Sequence, residues 1–177
     1  VQVLERIIET ATWAPSAHNR QPWRIAVLSS LEAKTHLADD MGEDFRQDLI
    51  ADGLPLEEID ARLKRSRDRL LQAPVALLLC LDLSGMDVYP DQKRQNAEYL
   101  MGVQSVALAG GTLLLAAHSE GLGGVWICAP LFAPETVCRS LNLPSTWQPQ
   151  GILLLGYPES VPTPPPRLNV NEIMIRL

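Results

Sequence analysis

The chain has 177 residues, enough for one domain with a substantial hydrophobic core. Apolar residues make up 46% and charged residues 20%, which excludes a disordered chain. A formal net charge of −6 argues against nucleic acid or an anionic membrane as the main partner. Val3, Leu4, Ile7, Ile8 and Ala11 recur at helical spacing, so residues 1–13 read as an amphipathic helix. Pro15 biases its predecessor away from helical backbone and ends it. After a loop, residues 23–28 read as a short strand. Residues 30–50 predict a helix with Ser30 as N-cap and Leu31, Leu37 and Met41 as apolar positions.

Gly53-Leu54-Pro55 breaks that pattern, and residues 56–71 form a charged helix with Ile59, Leu63 and Leu70 on one face. Its Lys64, Arg65, Arg67 and Arg69 read as a solvated face. The continuous apolar run 75–81 suits a buried strand, and 84–91 reads as a loop. Residues 97–118 predict a long helix, apolar almost all round, which raises the alternative of a membrane span. Gln104, Ser105 and Thr112 interrupt it. Ala107, Ala109, Gly110, Gly111, Ala116 and Ala117 favour a buried helix that other backbones approach closely. Gly121 is placed to end it in a left-handed conformation. Then follow a strand at 125–129, a short helix at 133–141 opened by Pro134, and a buried strand at 151–156. Residues 161–166 are proline-rich and extended. Residues 169–177 carry Val170, Ile173 and Ile175, a tail that wants a groove to lie in.

About four strands among helices, without regular βαβ alternation, imply an α+β sandwich in a single domain spanning 1–177. The cluster Gly121-Leu122-Gly123-Gly124 follows a helix and precedes a strand, the reverse of a dinucleotide-binding loop, so it reads as a cap and tight turn. Cys80, Cys128 and Cys138 are odd in number and form no C-x-x-C pair; they read as reduced thiols of a cytoplasmic protein, Cys80 and Cys128 buried in apolar runs. His18, His36 and His118 are scattered without ligand spacing, so no metal site is expected. No signal peptide is visible; Val1 already lies inside a helical pattern, so a further segment upstream is expected.

The loop from Ser16 to Gln21 packs Ser, His, Asn, Arg and Gln between two prolines and beside Trp13 and Trp23. Asn and Gln amides each offer a donor and an acceptor, the complement of a heterocycle edge with alternating carbonyl and N–H groups. The tryptophans could wall such a ring. Taken alone, the loop reads rather as a polar connection than as a site.

Pro15, Ser16, Asn19, Gln21, Pro22 and Trp23 form a Pro-Ser-x-x-Asn-x-Gln-Pro-Trp pattern that resembles the flavin-contacting loop of the nitroreductase family. Residues 114–127 resemble that family's central helix and the strand after it. The resemblance implies FMN as cofactor, with Pro15, Ser16, Ala17, Asn19 and Gln21 against the isoalloxazine or ribityl part. It implies that Ile127, Cys128 and Ala129 run along the ring with their backbone N–H groups, and that Arg167 binds the phosphate. The family's basic Arg-x-Ser-x-Arg segment, which grips the phosphate, would lie ahead of Val1. The implied architecture is a mostly antiparallel sheet flanked by helices in an intertwined homodimer, the central helix buried between subunits and the arm 161–177 crossing to the partner. The implied activity passes hydride from NAD(P)H through flavin to a small oxidised acceptor such as a nitroaromatic or quinone, with no catalytic side chain. The C-terminal half, at 126–127, 131–134 and 143–149, resembles the reductase domain of deazaflavin-cofactor biosynthesis enzymes. That likeness implies the alternative of a flavin- or deazaflavin-binding protein with little nicotinamide-driven turnover.

Overall fold

The computed structural model describes residues 2–177. Its centre is a four-stranded sheet in the order β1 (Trp23–Leu28), β2 (Val75–Asp82), β4 (Trp147–Gly156), β3 (Gly123–Ile127), with every neighbouring pair antiparallel. Successive side chains of a strand point to opposite faces. Leu77, Leu79 and Leu81 of β2 therefore meet α1 (Gln2–Ala11) and α4 (Gln92–Ser119) on one face. Ala76, Leu78 and Cys80 meet α2 (Leu31–Ala51) and α5 (Pro134–Ser140) on the other. Helices cover both faces, so the central strands read as unbroken apolar runs rather than alternating ones. The charged helix α3 (Leu56–Gln72) packs chiefly on α2 and buries only Ile59 and Leu70.

Local chemistry sets the element ends. Ser30 caps α2 by accepting from Ala33 N–H at 3.1 Å. Gly121 ends the turn after α4 at φ 79°, the left-handed region that glycine enters without strain. Helix α4 starts at Gln92, five residues ahead of the apolar pattern, because Asp91 caps it and accepts from Arg94 N–H at 3.0 Å. Strand β4 starts at Trp147 rather than at Gly151. A bulge between Leu79 and Cys80 of β2 lets Pro149 face Cys80 and the pairing continue to Asp82 and Trp147. Strand β3 stops at Ile127, since Ala129–Phe132 forms a 3₁₀ turn that contains Pro130. The expected strand through Ala129 is corrected accordingly.

By length and composition α4 could cross a membrane. Its Val106, Ala109, Leu113 and Ala117 are buried against the sheet and α1 instead, which makes it a core helix. Trp126 explains two of its neighbours' glycines. A Cβ on Gly151 would sit 2.7 Å from the Trp126 indole, and one on Gly110 would overlap the same ring. The opposite face of α4 is exposed, with Gln104, Ala107, Leu108, Gly111 and Leu115 in a helical stripe.

Two expectations change, and the tail leaves a third to a partner. Cys128 lies past the end of β3 and is exposed; only Cys80 is buried, which pushes its thiol up to about 12. Trp23 packs in the core and Trp13 points to solvent, so neither tryptophan walls the loop between them. The C-terminal tail finds no groove on its own chain. Apart from the one-turn helix α6 (Val170–Ile173), held by a capping box between Asn169 and Glu172, it is extended and exposed.

Candidate functional site

Antiparallel register places Trp23, Leu81 and Gln148 side by side at one end of the sheet. Strand β3 runs toward the same end, so Cys128 and Ala129 emerge there too. The two segments singled out in the sequence therefore share one end of the sheet. They leave it from opposite edges, β1 and β3, about 14 Å apart at three inter-strand spacings.

The loop after α1 is held tightly. Residues 17–19 form a 3₁₀ turn, and His18, Asn19 and Gln21 have φ values of 51°, 52° and 51°. Non-glycine residues in this left-handed region are strained, and such strain persists only where surrounding contacts over-determine it. Those contacts are present. Ser16 Oγ accepts from Gln21 N–H at 3.1 Å. Ala17 N–H donates to Ser105 Oγ at 3.1 Å, and Ser105 in turn donates to Met101 C=O on α4 at 2.6 Å. Arg20 donates to Asp87 at 2.6 Å, and Asp82 N–H donates to Pro22 C=O at 2.8 Å. Arg24 donates to Gln21 C=O at 3.2 Å and lies 3.2 Å from Asp82 Oδ2. Burial raises the Asp82 carboxyl. Hydrogen bonds from Ser84, by side chain and backbone, and the Arg24 charge outweigh it and hold Asp82 below the usual aspartate range.

With the backbone so occupied, the side chains of Asn19 and Gln21 are exposed and make no hydrogen bond among the described residues. The N–H of Ala17 is itself engaged by Ser105 Oγ. Beneath the loop lies Glu98, fully buried: its Oε1 accepts from Asp87 N–H at 3.0 Å, its Oε2 has no partner, and His18 Nε2 stands 3.8 Å away. Sequence reasoning missed Ser105, Asp87 and Glu98. Ser105 and Glu98 left a trace as polar residues on the buried face of α4.

At the other edge, Trp126 Nε1–H donates to Cys128 Sγ at 3.1 Å. Outside the strand ladder, the Cys128 and Ala129 N–H groups have no acceptor among the described residues. Ile127 and Ala129 also line a cleft with Phe45 and Leu63 of the α2–α3 pair. Arg167 joins neither segment. It is exposed and bonds only to the carbonyls of Pro165 and Pro166 on its own tail.

A model of the nitroreductase family matches residues 1–157, from α1 through the last strand of the sheet. The chain belongs to the nitroreductase family. It is 30% identical over 172 residues to a 5,6-dimethylbenzimidazole synthase of Rhodospirillum rubrum, covering 92% of this chain and 75% of that protein. Among solved structures, a BluB-like flavoprotein from Clostridium difficile 630 superimposes with a TM-score of 0.79 at 21% identity, over 99% of this chain and 89% of that one. The NADPH:FMN oxidoreductase of Vibrio harveyi, solved with NAD+, matches with a TM-score of 0.71 at 21% identity, over 99% of this chain and 67% of that one. At those identities the structural likenesses establish the nitroreductase fold. Family membership supports an enzyme of the flavin-dependent oxidoreductase type.

Proposed function

We propose that this nitroreductase-family chain is a cytoplasmic FMN enzyme that passes hydride from NAD(P)H to a small oxidised acceptor such as a nitroaromatic or quinone, and that it works as a homodimer. One observation carries the reading. The strained loop, pinned to α4, frees the Asn19 and Gln21 amides at the sheet end where the Cys128 and Ala129 N–H groups have no acceptor outside the strand ladder among the described residues. These donors and acceptors suit the polar edge of a flavin ring.

Bound FMN would supply the two-electron chemistry. The chain's own part is to bind and polarise. Asn19 and Gln21 would fix the ring, Pro15, Ser16 and Ala17 would shape the loop against it, and Ile127 would back it with apolar surface. The N–H groups of Cys128 and Ala129 would favour negative charge on the reduced ring, as an oxyanion hole does. Arg167 would reach the phosphate from the arm 161–177.

Two features support a site shared between chains. The ring-binding segments leave opposite edges of one sheet, and Arg167, on an arm that is exposed along its whole length, bonds only to carbonyls of that arm. The exposed apolar stripe of α4 offers the surface for a second copy.

The purified protein is expected to be yellow, to bleach with NADH or NADPH under anaerobic conditions, and to recover its colour with a nitroaromatic or quinone. Bound flavin that neither nicotinamide reduces would favour the flavin- or deazaflavin-binding alternative. A colourless protein that ignores added FMN would overturn the reading.

A further inference from the structure

Beneath the loop, one imidazole and two carboxylates converge from three separate parts of the chain. The ligand atoms of His18, Asp87 and Glu98 all lie within 4.8 Å of one another. His18 comes from the strained loop, Asp87 from the segment after β2, and Glu98 from the second turn of α4.

Glu98 is the informative member. Its side chain is fully buried, and a buried carboxylate oxygen without a partner is destabilising unless a proton or cation compensates it. Glu98 Oε1 is satisfied by Asp87 N–H; Oε2 is not, and it is aimed toward His18. The same hydrogen bond locks the backbone of Asp87 to the carboxylate of Glu98, which holds two of the three groups in fixed relation. Arg20 donates to Asp87 Oδ1, the kind of outer contact that orients a ligating carboxylate. Counting Asp87 and Glu98 as anions, Arg20 as a cation and His18 as neutral leaves the cluster with one uncompensated negative charge.

We propose that His18, Asp87 and Glu98 bind a divalent first-row transition-metal ion, in a site separate from the flavin reading and independent of it. The geometry fits. With metal–ligand bonds of about 2.1 Å, two donors of one ion stand no more than about 4.2 Å apart. The 3.8 Å between His18 Nε2 and Glu98 Oε2 already meets this. The widest pair closes by at most roughly 0.6 Å, less than a side-chain adjustment at half-exposed His18 and Asp87 supplies. One nitrogen and two oxygen donors select zinc, manganese or iron(II) over calcium, which takes oxygen alone. Three protein ligands with an open outer side leave room for water or an exchangeable group. A protonated His18 closing directly on Glu98 is the competing arrangement. It satisfies Glu98 but leaves Asp87 with Arg20 alone, whereas a cation engages all three groups.

The test is calorimetric titration of the 177-residue chain, freed of metal with a chelator, with Zn2+, repeated with Co2+ followed by its visible absorption. One ion per chain is expected. The substitutions His18→Ala and Glu98→Gln should each weaken binding by at least about tenfold. His18 is exposed, so H18A keeps the proposal falsifiable even if E98Q fails to fold; circular dichroism checks both. Zinc binding no tighter in the wild-type chain than in H18A would overturn the proposal in favour of the His18–Glu98 pair. So would stoichiometric binding that survives both substitutions. None of these outcomes depends on flavin, since bleaching by NAD(P)H is read separately on the same protein.

Discussion

Asp82 shows how much of the site rests on single groups outside it. Its backbone N–H holds Pro22, its carboxylate accepts from Ser84 and faces Arg24, and Arg24 in turn holds Gln21. These contacts lower the folded-state pKa below the unfolded value. A depressed carboxylate contributes stability that is fully present above the unfolded value and is lost as pH falls through the folded one. Asp82→Asn is therefore expected to cost roughly 1–3 kcal/mol at neutral pH. The difference from wild type should shrink as pH falls below the ordinary aspartate value of about 3.9. Chemical denaturation at a series of pH values measures both, and a difference that stays constant down to pH ~2 contradicts the assigned ionisation. At this scale the sequence was readable where a residue type has one local use. Ser30 as a cap and Gly121 as a left-handed turn follow from their positions. Cys128 was misjudged because its apolar neighbours belong to a strand that ends one residue before it.

Among the elements, α4 has two faces with different destinies. Val106, Ala109 and Leu113 close the core, while Leu108 and Leu115 lie on an exposed stripe with Gly111 between them. A helix apolar on all sides has a second packing partner to account for. Leu115 is 73% exposed, so Leu115→Glu is expected to leave the circular dichroism unchanged while converting the proposed dimer to monomer by light scattering. Retention of the dimer would move the interface elsewhere. Periodicity located most elements, since strand β1 and the interiors of all the longer helices follow from spacing alone. It missed the first turn of α4 and the first four residues of β4. The former depends on the Asp91 cap, and the latter on pairing across a bulge with a strand far off in sequence.

For the molecule as a whole, the tail and the sheet answer different questions. The tail from Val161 on is exposed, and the sheet and its two helical layers pack without it. Removing residues 161–177 is expected to preserve the thermal unfolding of the monomeric core but, on the proposed flavin site, to weaken FMN retention by about tenfold or more, roughly 1.4 kcal/mol. Equilibrium titration of the truncated chain with FMN checks this, and unchanged affinity would remove Arg167 and the arm from the site. What the sequence by itself determined is the order and type of the elements and the two motif segments, because periodicity, caps and turn residues act over a few neighbours. Those same segments carry the family likeness. Only the tertiary structure decided that the two segments share one end of the sheet, that Ala17 spends its N–H on Ser105, and that His18 stands over a buried, half-satisfied Glu98. Such juxtapositions arise from strand register and helix packing between residues distant in sequence, and no local spacing encodes them.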